Sequence, residues 1–318
     1  MAQRVQSSPT VPDQITLIAF FAMVFIGGSN VVAVRLSNNN LPPFFGAGLR
    51  FALAGLILLA VVAWRRVPFP RGDALIGTLL YGAIGFGLFY SFAYWALRPE
   101  GLPASVAAVV LASVPLLTFF FAQAHRLESF RWRPLLGAVI AIAGIAVLIG
   151  AELTLTLPVA PLLAAFGAAA AGAEGGVVIK RFQPNNPIAA NAYGMLLGAV
   201  LLLALSATTG ERWTLPDRAF DWGVLVYLVV VGSVALFVLF LFVLHRWTAT
   251  GTSYFTVLMP IVATLLAVWL LDQPITLAVV FGGAVVIAGV YIGALSRGKV
   301  AAPAPEGQEA LAQNCASC

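Results

Sequence analysis

Charge is what this sequence has least of. Only 9% of its 318 residues are Asp, Glu, Lys or Arg, against about 25% in an ordinary soluble domain. Meanwhile 61% are hydrophobic. A soluble fold could not hide that much apolar surface, because even folded chains expose a large share of it, so the solvent here is lipid. Histidine is nearly absent. The two that occur, His125 and His245, fall at the ends of predicted helices with no cluster of acids beside them. That excludes a metal-centred or His/Glu hydrolytic site, and neither a metal nor a cofactor is expected. The two cysteines, Cys315 and Cys318, both lie in the last four residues, so no disulfide is expected in the hydrophobic body. No G-x-x-x-x-G-K-[ST] loop is present to bind ATP. No basic run with interleaved aromatics is present either, so the net charge of +5 points to basic cytoplasmic loops rather than to nucleic acid.

Long apolar runs fill the rest. A helix needs roughly 20 apolar residues to cross about 30 Å of hydrocarbon. Ten stretches qualify: 15–34, 43–64, 74–97, 102–125, 134–151, 158–179, 187–206, 220–244, 249–271 and 275–296. Short loops rich in Pro, Asn, Gly or Arg divide them. Transmembrane strands would alternate over about ten residues, which excludes a barrel. Residues 15–27 are read as part of the first span, not a cleaved leader, because they lack an A-x-A site and many similar stretches follow. With the N-terminus inside, twelve basic residues fall on the inner side, including Arg65, Arg66, Arg126, Lys180 and Arg246, and four on the outer. This asymmetry predicts cytoplasmic termini. The expected fold class is thus an all-α membrane protein of ten transmembrane helices, flanked by tails at 1–14 and 297–318.

The spans repeat. Shifting the chain by 145 residues lays Gly27 on Gly172, Asn40 on Asn185, Pro42 on Pro187 and Gly87 on Gly232, and then Pro115 on Pro260, Gly137 on Gly282 and Gly144 on Gly289. Each half, 15–151 and 158–296, holds five spans. An odd number forces the second half to insert upside down. Inverted repeats of this kind build secondary transporters, with substrate held between the halves near the bilayer midplane.

Ordered motifs add a resemblance. The first span reads Phe25-Ile26-Gly27-Gly28-Ser29-Asn30, and the second carries Gly48-Leu49-Arg50-Phe51-Ala52-Leu53-Ala54-Gly55. The fourth carries Pro103-Ala104-Ser105-Val106, then Ser113-Val114-Pro115, followed by Glu128 and the Gly137…Gly144 pair. Over residues 15–296 this resembles the EamA-type branch of the drug/metabolite transporter superfamily. The resemblance implies a central cavity walled by helices one, three, four, six, eight and nine, with five and ten at the periphery, and export of amino acids or similar metabolites. The second half departs from the pattern in places: Met195 stands where Arg50 does, and Asp272 falls one place before the mate of Glu128.

Ionisable residues within spans are functional candidates because they are costly there. Arg50 lies roughly 10 Å below the outer edge. It either contacts a substrate carboxylate or serves structure by snorkelling outward or bonding loop carbonyls. Glu174 lies about 9 Å above the inner edge. It either carries protons or an amine, or is a wet carboxylate paired with Lys180 or Arg181. The two differ in depth by about 11 Å, so no direct pair between them is expected. Ser29 and Asn30 either offer polar groups to a ligand or serve tight packing. Tyr90, Ser113, Ser233, Tyr254 and Met259 complete the candidate cavity. Tyr81, Tyr94 and Trp95 are read as interfacial belt. Pro115 and Pro260, both expected in mid-helix, are candidate hinges or static kinks.

An aromatic, weakly polar lining suits an amphipathic small molecule and not a diphosphate, which calls for several basic groups. The expected partners are therefore a small-molecule substrate and the lipid bilayer of a bacterial inner membrane, with no nucleic acid, and the chain is read as a monomer. A membrane-embedded enzyme acting on a lipid-linked substrate is the alternative, and a channel would need a charged or polar ring that is missing. The tail ending Cys315-Ala316-Ser317-Cys318 lacks the His of a haem-attachment site and is read as unstructured, with two free thiols.

Overall fold

The computed structural model describes residues 12–38, 41–96, 107, 110–149, 158–184, 186–271 and 277–295. The Cys315/Cys318 tail, Asp272 and the landmark asparagines Asn40 and Asn185 lie outside them. The elements are α1 (Gln14–Ser37), α2 (Pro43–Trp64), α3 (Asp73–Ala96), α4 (Val114–Ala124), α5 (Trp132–Ile149), α6 (Val159–Phe182), α7 (Pro187–Thr208), α8 (Ala219–Arg246), α9 (Ala249–Ser253 continuing as Phe255–Leu271) and α10 (Leu277–Val290 with a π-turn at Tyr291–Leu295). Among the described residues, α1, α2, α3, α6, α7 and α8 are long and apolar enough to cross a membrane, and the other four are shorter apolar helices.

The sequence sets the ends of these helices. Asp13 caps α1 by accepting from Thr16 N at 3.0 Å, and Asn186 caps α7 by accepting from Ile188 N and Ala189 N. Both satisfy amides that the first turn leaves orphaned. Pro43 opens α2, where its missing N–H costs nothing. The next two amides, of Phe44 and Phe45, donate to the Glu211 carboxylate at 3.1 and 2.8 Å. That cap comes from the loop after α7.

Packing exchanges repeat-related partners. The mates α2 and α7 pack on each other, as do α5 and α10; α1 lies against α8 and α9, and α6 against α3 and α4. In the α5–α10 pair a Cβ on Gly137 would come within 2.4–2.6 Å of the backbone of Gly293 and Gly289, and one on Gly289 would meet Ala141 N at 2.6 Å. The glycine landmarks thus mark backbones in near contact, as in lipid-embedded helix pairs. Phe51, Phe86, Tyr81, Met195 and Leu202 form the core between α2, α3 and α7. A second core, with Phe20, Met23, Ile145, Trp247 and Tyr254, joins α1, α5, α9 and α10. Exposed apolar side chains, such as Ile18, Trp64, Leu163, Val200 and Phe281, face outward where only hydrocarbon would solvate them without cost.

Candidate functional site

The widened turns of α3 and α8 set the site. Gly82–Leu88 and Val230–Ala235 are π-helical, and they overlap after the 145-residue shift. A π-turn disturbs the regular i→i+4 ladder and recurs at functional sites. In the low-dielectric interior its carbonyls need partners. In α8 the carbonyl of Gly232 accepts from Arg50 Nη2 at 2.8 Å and from Asn30 Nδ2 at 3.2 Å. Arg50 Nε donates to Ser233 Oγ at 2.6 Å. One helix turn of α8 therefore gathers α1 and α2 of the other repeat.

Arg50 is 2% exposed. It does not snorkel, and it does not reach Glu174. A buried guanidinium needs hydrogen bonds and compensating charge, yet among the described residues no carboxylate pairs with it. Aromatic faces supply part of the compensation: its Cζ lies 5.0 Å from the Phe51 centroid and 5.9 Å from that of half-buried Tyr90, a cation–π arrangement. Arg50 Nη1 and Asn30 Oδ1 are both buried without a hydrogen-bond partner among the described residues.

The other candidates divide. Ser29 Oγ lies 2.5 Å from Tyr227 OH on α8 and also donates to its own helix. Met259 on α9 packs where a Cβ on Gly27 would sit, so the small residues of α1 permit close approach. Ser113 Oγ donates to Val110 O, at 2.6 Å, within its own segment. Tyr254 turns away from this seam: fully buried, it donates to Pro134 O at 2.7 Å and covers Gly293, pinning α9 to α5 and α10. The belt reading fails for Tyr81 and Tyr94, which are both buried in the core between the repeats. The two prolines also differ. Pro260 lies inside α9, whereas Pro115 falls in the first turn of α4 after a break at Ala112–Ser113. A first-turn proline removes no helical hydrogen bond.

A second polar group closes the ends of the helices that carry most of the basic residues. Glu174 Oε1 sits 2.8 Å from His125 Nε2, not on Lys180 or Arg181. Arg181 Nη1 lies 3.4 Å from His125 Nδ1. A guanidinium can only donate, so in this contact the acceptor is His125 Nδ1. Lys180 Nζ donates to Leu244 O at 2.6 Å and to Trp247 O, satisfying carbonyls at the C-terminus of α8. Glu128 accepts from Thr250 N at 3.0 Å, capping α9. Arg246 Nη1 pairs with Asp13 at 3.3 Å, whose carboxyl is held below its usual range first by hydrogen bonds from Thr16 and then by Arg246. These ties join α1, α4, α6, α8 and α9. Sequence reasoning missed His125 and Glu128, because their partners lie 49 or more residues away on other helices. Among the described residues no group of three or more His, Cys, Asp or Glu side chains could hold a metal ion.

Repeat-exchanged packing of apolar helices, with a polar knot at the seam and a belt of polar ties at one end, defines a polytopic membrane protein of the two-repeat transporter type. The EamA-like transporter family matches residues 14–150 and again 159–294, and the chain belongs to that family. It is 29% identical to the uncharacterized inner membrane transporter YedA of Escherichia coli K12, over 78% of this chain and 80% of that protein. It is 26% identical to a probable amino-acid metabolite efflux pump of Salmonella typhimurium, over 85% and 91%. A solved crystal structure at 22% identity shares the fold with a TM-score of 0.76, over 88% of this chain and 96% of the other.

Proposed function

We propose that this chain exports small metabolites, foremost neutral or aromatic amino acids, across the bacterial inner membrane by alternating access. In this reading ten spans form two inverted repeats, 15–151 and 158–296, both termini lie on the cytoplasmic side that the basic residues favour, and substrate passes between the halves. The observation that carries this reading is the belt of polar ties among α1, α4, α6, α8 and α9. The ties lie at the ends that the basic residues assign to the cytoplasm, and they join the very helices that would part to open an inward path. The exposed pair of Arg246 with Asp13 is of a kind worth roughly 0–1 kcal/mol, so that part of the gate opens at modest cost. The rings of Phe51, Phe86, Tyr90, Phe237 and Phe240 give the seam an aromatic character suited to amphipathic solutes. The name of the Salmonella relative points the same way.

The test is uptake into proteoliposomes of a panel of amino acids, with and without a pH gradient. Accumulation of at least one neutral amino acid above empty liposomes is expected. Indifference to every amino acid would remove that substrate class.

A further inference from the structure

Two atoms in the polar knot have hydrogen-bonding capacity left unused among the described residues. Arg50 Nη1 is a cationic donor and Asn30 Oδ1 is a neutral acceptor, and neither has a partner among the described residues. Both residues are more than nine-tenths buried. An unmade buried hydrogen bond is costly, more so for a charged group. The two residues are also neighbours. Arg50 Nη2 and Asn30 Nδ2 both bond Gly232 O, so the two side chains that carry Nη1 and Oδ1 meet at one carbonyl. Gly232 O can only accept, which fixes the Asn30 amide with its nitrogen on that carbonyl and its oxygen turned away. A Cβ on Gly232 would collide with that oxygen, so the glycine is what leaves room for it.

The unused pair has the polarity of a zwitterion in reverse. A guanidinium N–H suits a carboxylate, and an amide oxygen suits an ammonium. We infer that Arg50 and Asn30 form a recognition site for the head group of an α-amino acid, its carboxylate on Arg50 Nη1 and its ammonium on Asn30 Oδ1. The inference rests on the transport reading above and narrows it: selectivity comes from the shared head group, while the side chain meets the aromatic faces beside Tyr90 and Phe51. In the described state both atoms are covered, with Ser29 held on Tyr227. Substrate enters as α1 parts from α8. Met195, the repeat mate of Arg50, carries no charge, and the mate of Asn30 is Gly175, so the site occurs once per chain.

The experiment compares three solutes on the full chain in proteoliposomes: phenylalanine, phenethylamine (no carboxylate) and 3-phenylpropionate (no amine). Each is also tested for its ability to raise the melting temperature of the purified wild type. Phenylalanine is expected to be taken up at least tenfold faster than either analogue, and alone to raise the melting temperature. Arg50→Gln is expected to erase the preference over phenethylamine, and Asn30→Leu the preference over 3-phenylpropionate. Equal handling of the three by the wild type overturns the site, as does a folded variant that keeps full discrimination. If a variant fails to fold, the wild-type comparison decides alone. Transport of a solute without one of the two groups as fast as phenylalanine leaves the transporter reading standing and removes this site. A chain that moves no solute of any class removes both.

Discussion

Lys180 shows how one residue can hold a boundary. It lies at the end of α6, 8% exposed, and gives its ammonium to the last carbonyls of α8. Those carbonyls have no helical partners of their own. Lys180→Met keeps the aliphatic bulk and strands them, at a cost of about 1–3 kcal/mol. A lower melting temperature of the detergent-solubilised protein is expected, and an unchanged one would show that water replaces the ammonium freely. The charge of Lys180 is plain in the sequence, where it reads as an inner-side anchor. Its destination is not, since Trp247 is 67 residues away. Glu174 carries the same lesson: a wet carboxylate near basic neighbours was the simple expectation, and a histidine from α4 takes their place.

At the scale of elements, apolar length and punctuation located the helices well. The second stretch, 43–64, coincides with α2, and 220–244 lies within α8. The π-turns were not legible, because nothing in composition marks a switch from i→i+4 to i→i+5 bonding. The glycines were visible as repeat landmarks, but whether each served flexibility or contact was decided by packing. Gly289 serves contact: a side chain there meets the α5 backbone itself, which cannot swing aside. Gly289→Leu is expected to lower stability by about 1–3 kcal/mol through overpacking. Because α5 and α10 are joined away from the Arg50 knot, transport per folded molecule is expected to persist. Thermal unfolding and uptake normalised to folded protein separate the two effects, and loss of uptake without loss of stability would place this pair in the pathway.

For the whole molecule, the inner-end ties make a concrete expectation about motion. Asp13 and Arg246 join the start of α1 to the end of α8. In the double variant Asp13→Cys/Arg246→Cys, a thiol-to-thiol cross-linker with a cleavable disulfide spacer, long enough to replace an Arg–Asp contact, would tie these ends together, since a direct disulfide needs Cα atoms within about 7 Å. Cross-linked protein is expected to lose most of its transport and to recover it on reduction. Full transport by the cross-linked form would mean that α1 and α8 do not part at this end. With Cys315 and Cys318 both replaced by Ser, the Asp13→Cys chain is expected to react with a membrane-impermeant reagent only from the cytoplasmic side, which tests the orientation that the basic residues imply.

The sequence by itself determined the solvent, the helices and the repeat, since hydrophobic length and a constant offset are properties of the chain that no folding partner alters. It also supplied most of the polar residues that matter, because a charge within a lipid-spanning stretch is conspicuous. Only the tertiary structure decided which of them meet. Arg50, Asn30 and Gly232 come from three helices, and their convergence depends on a turn of α8 widened by one residue. Partnership in a membrane bundle is set by helix rotation and contact, which one-dimensional spacing does not encode beyond a single helix.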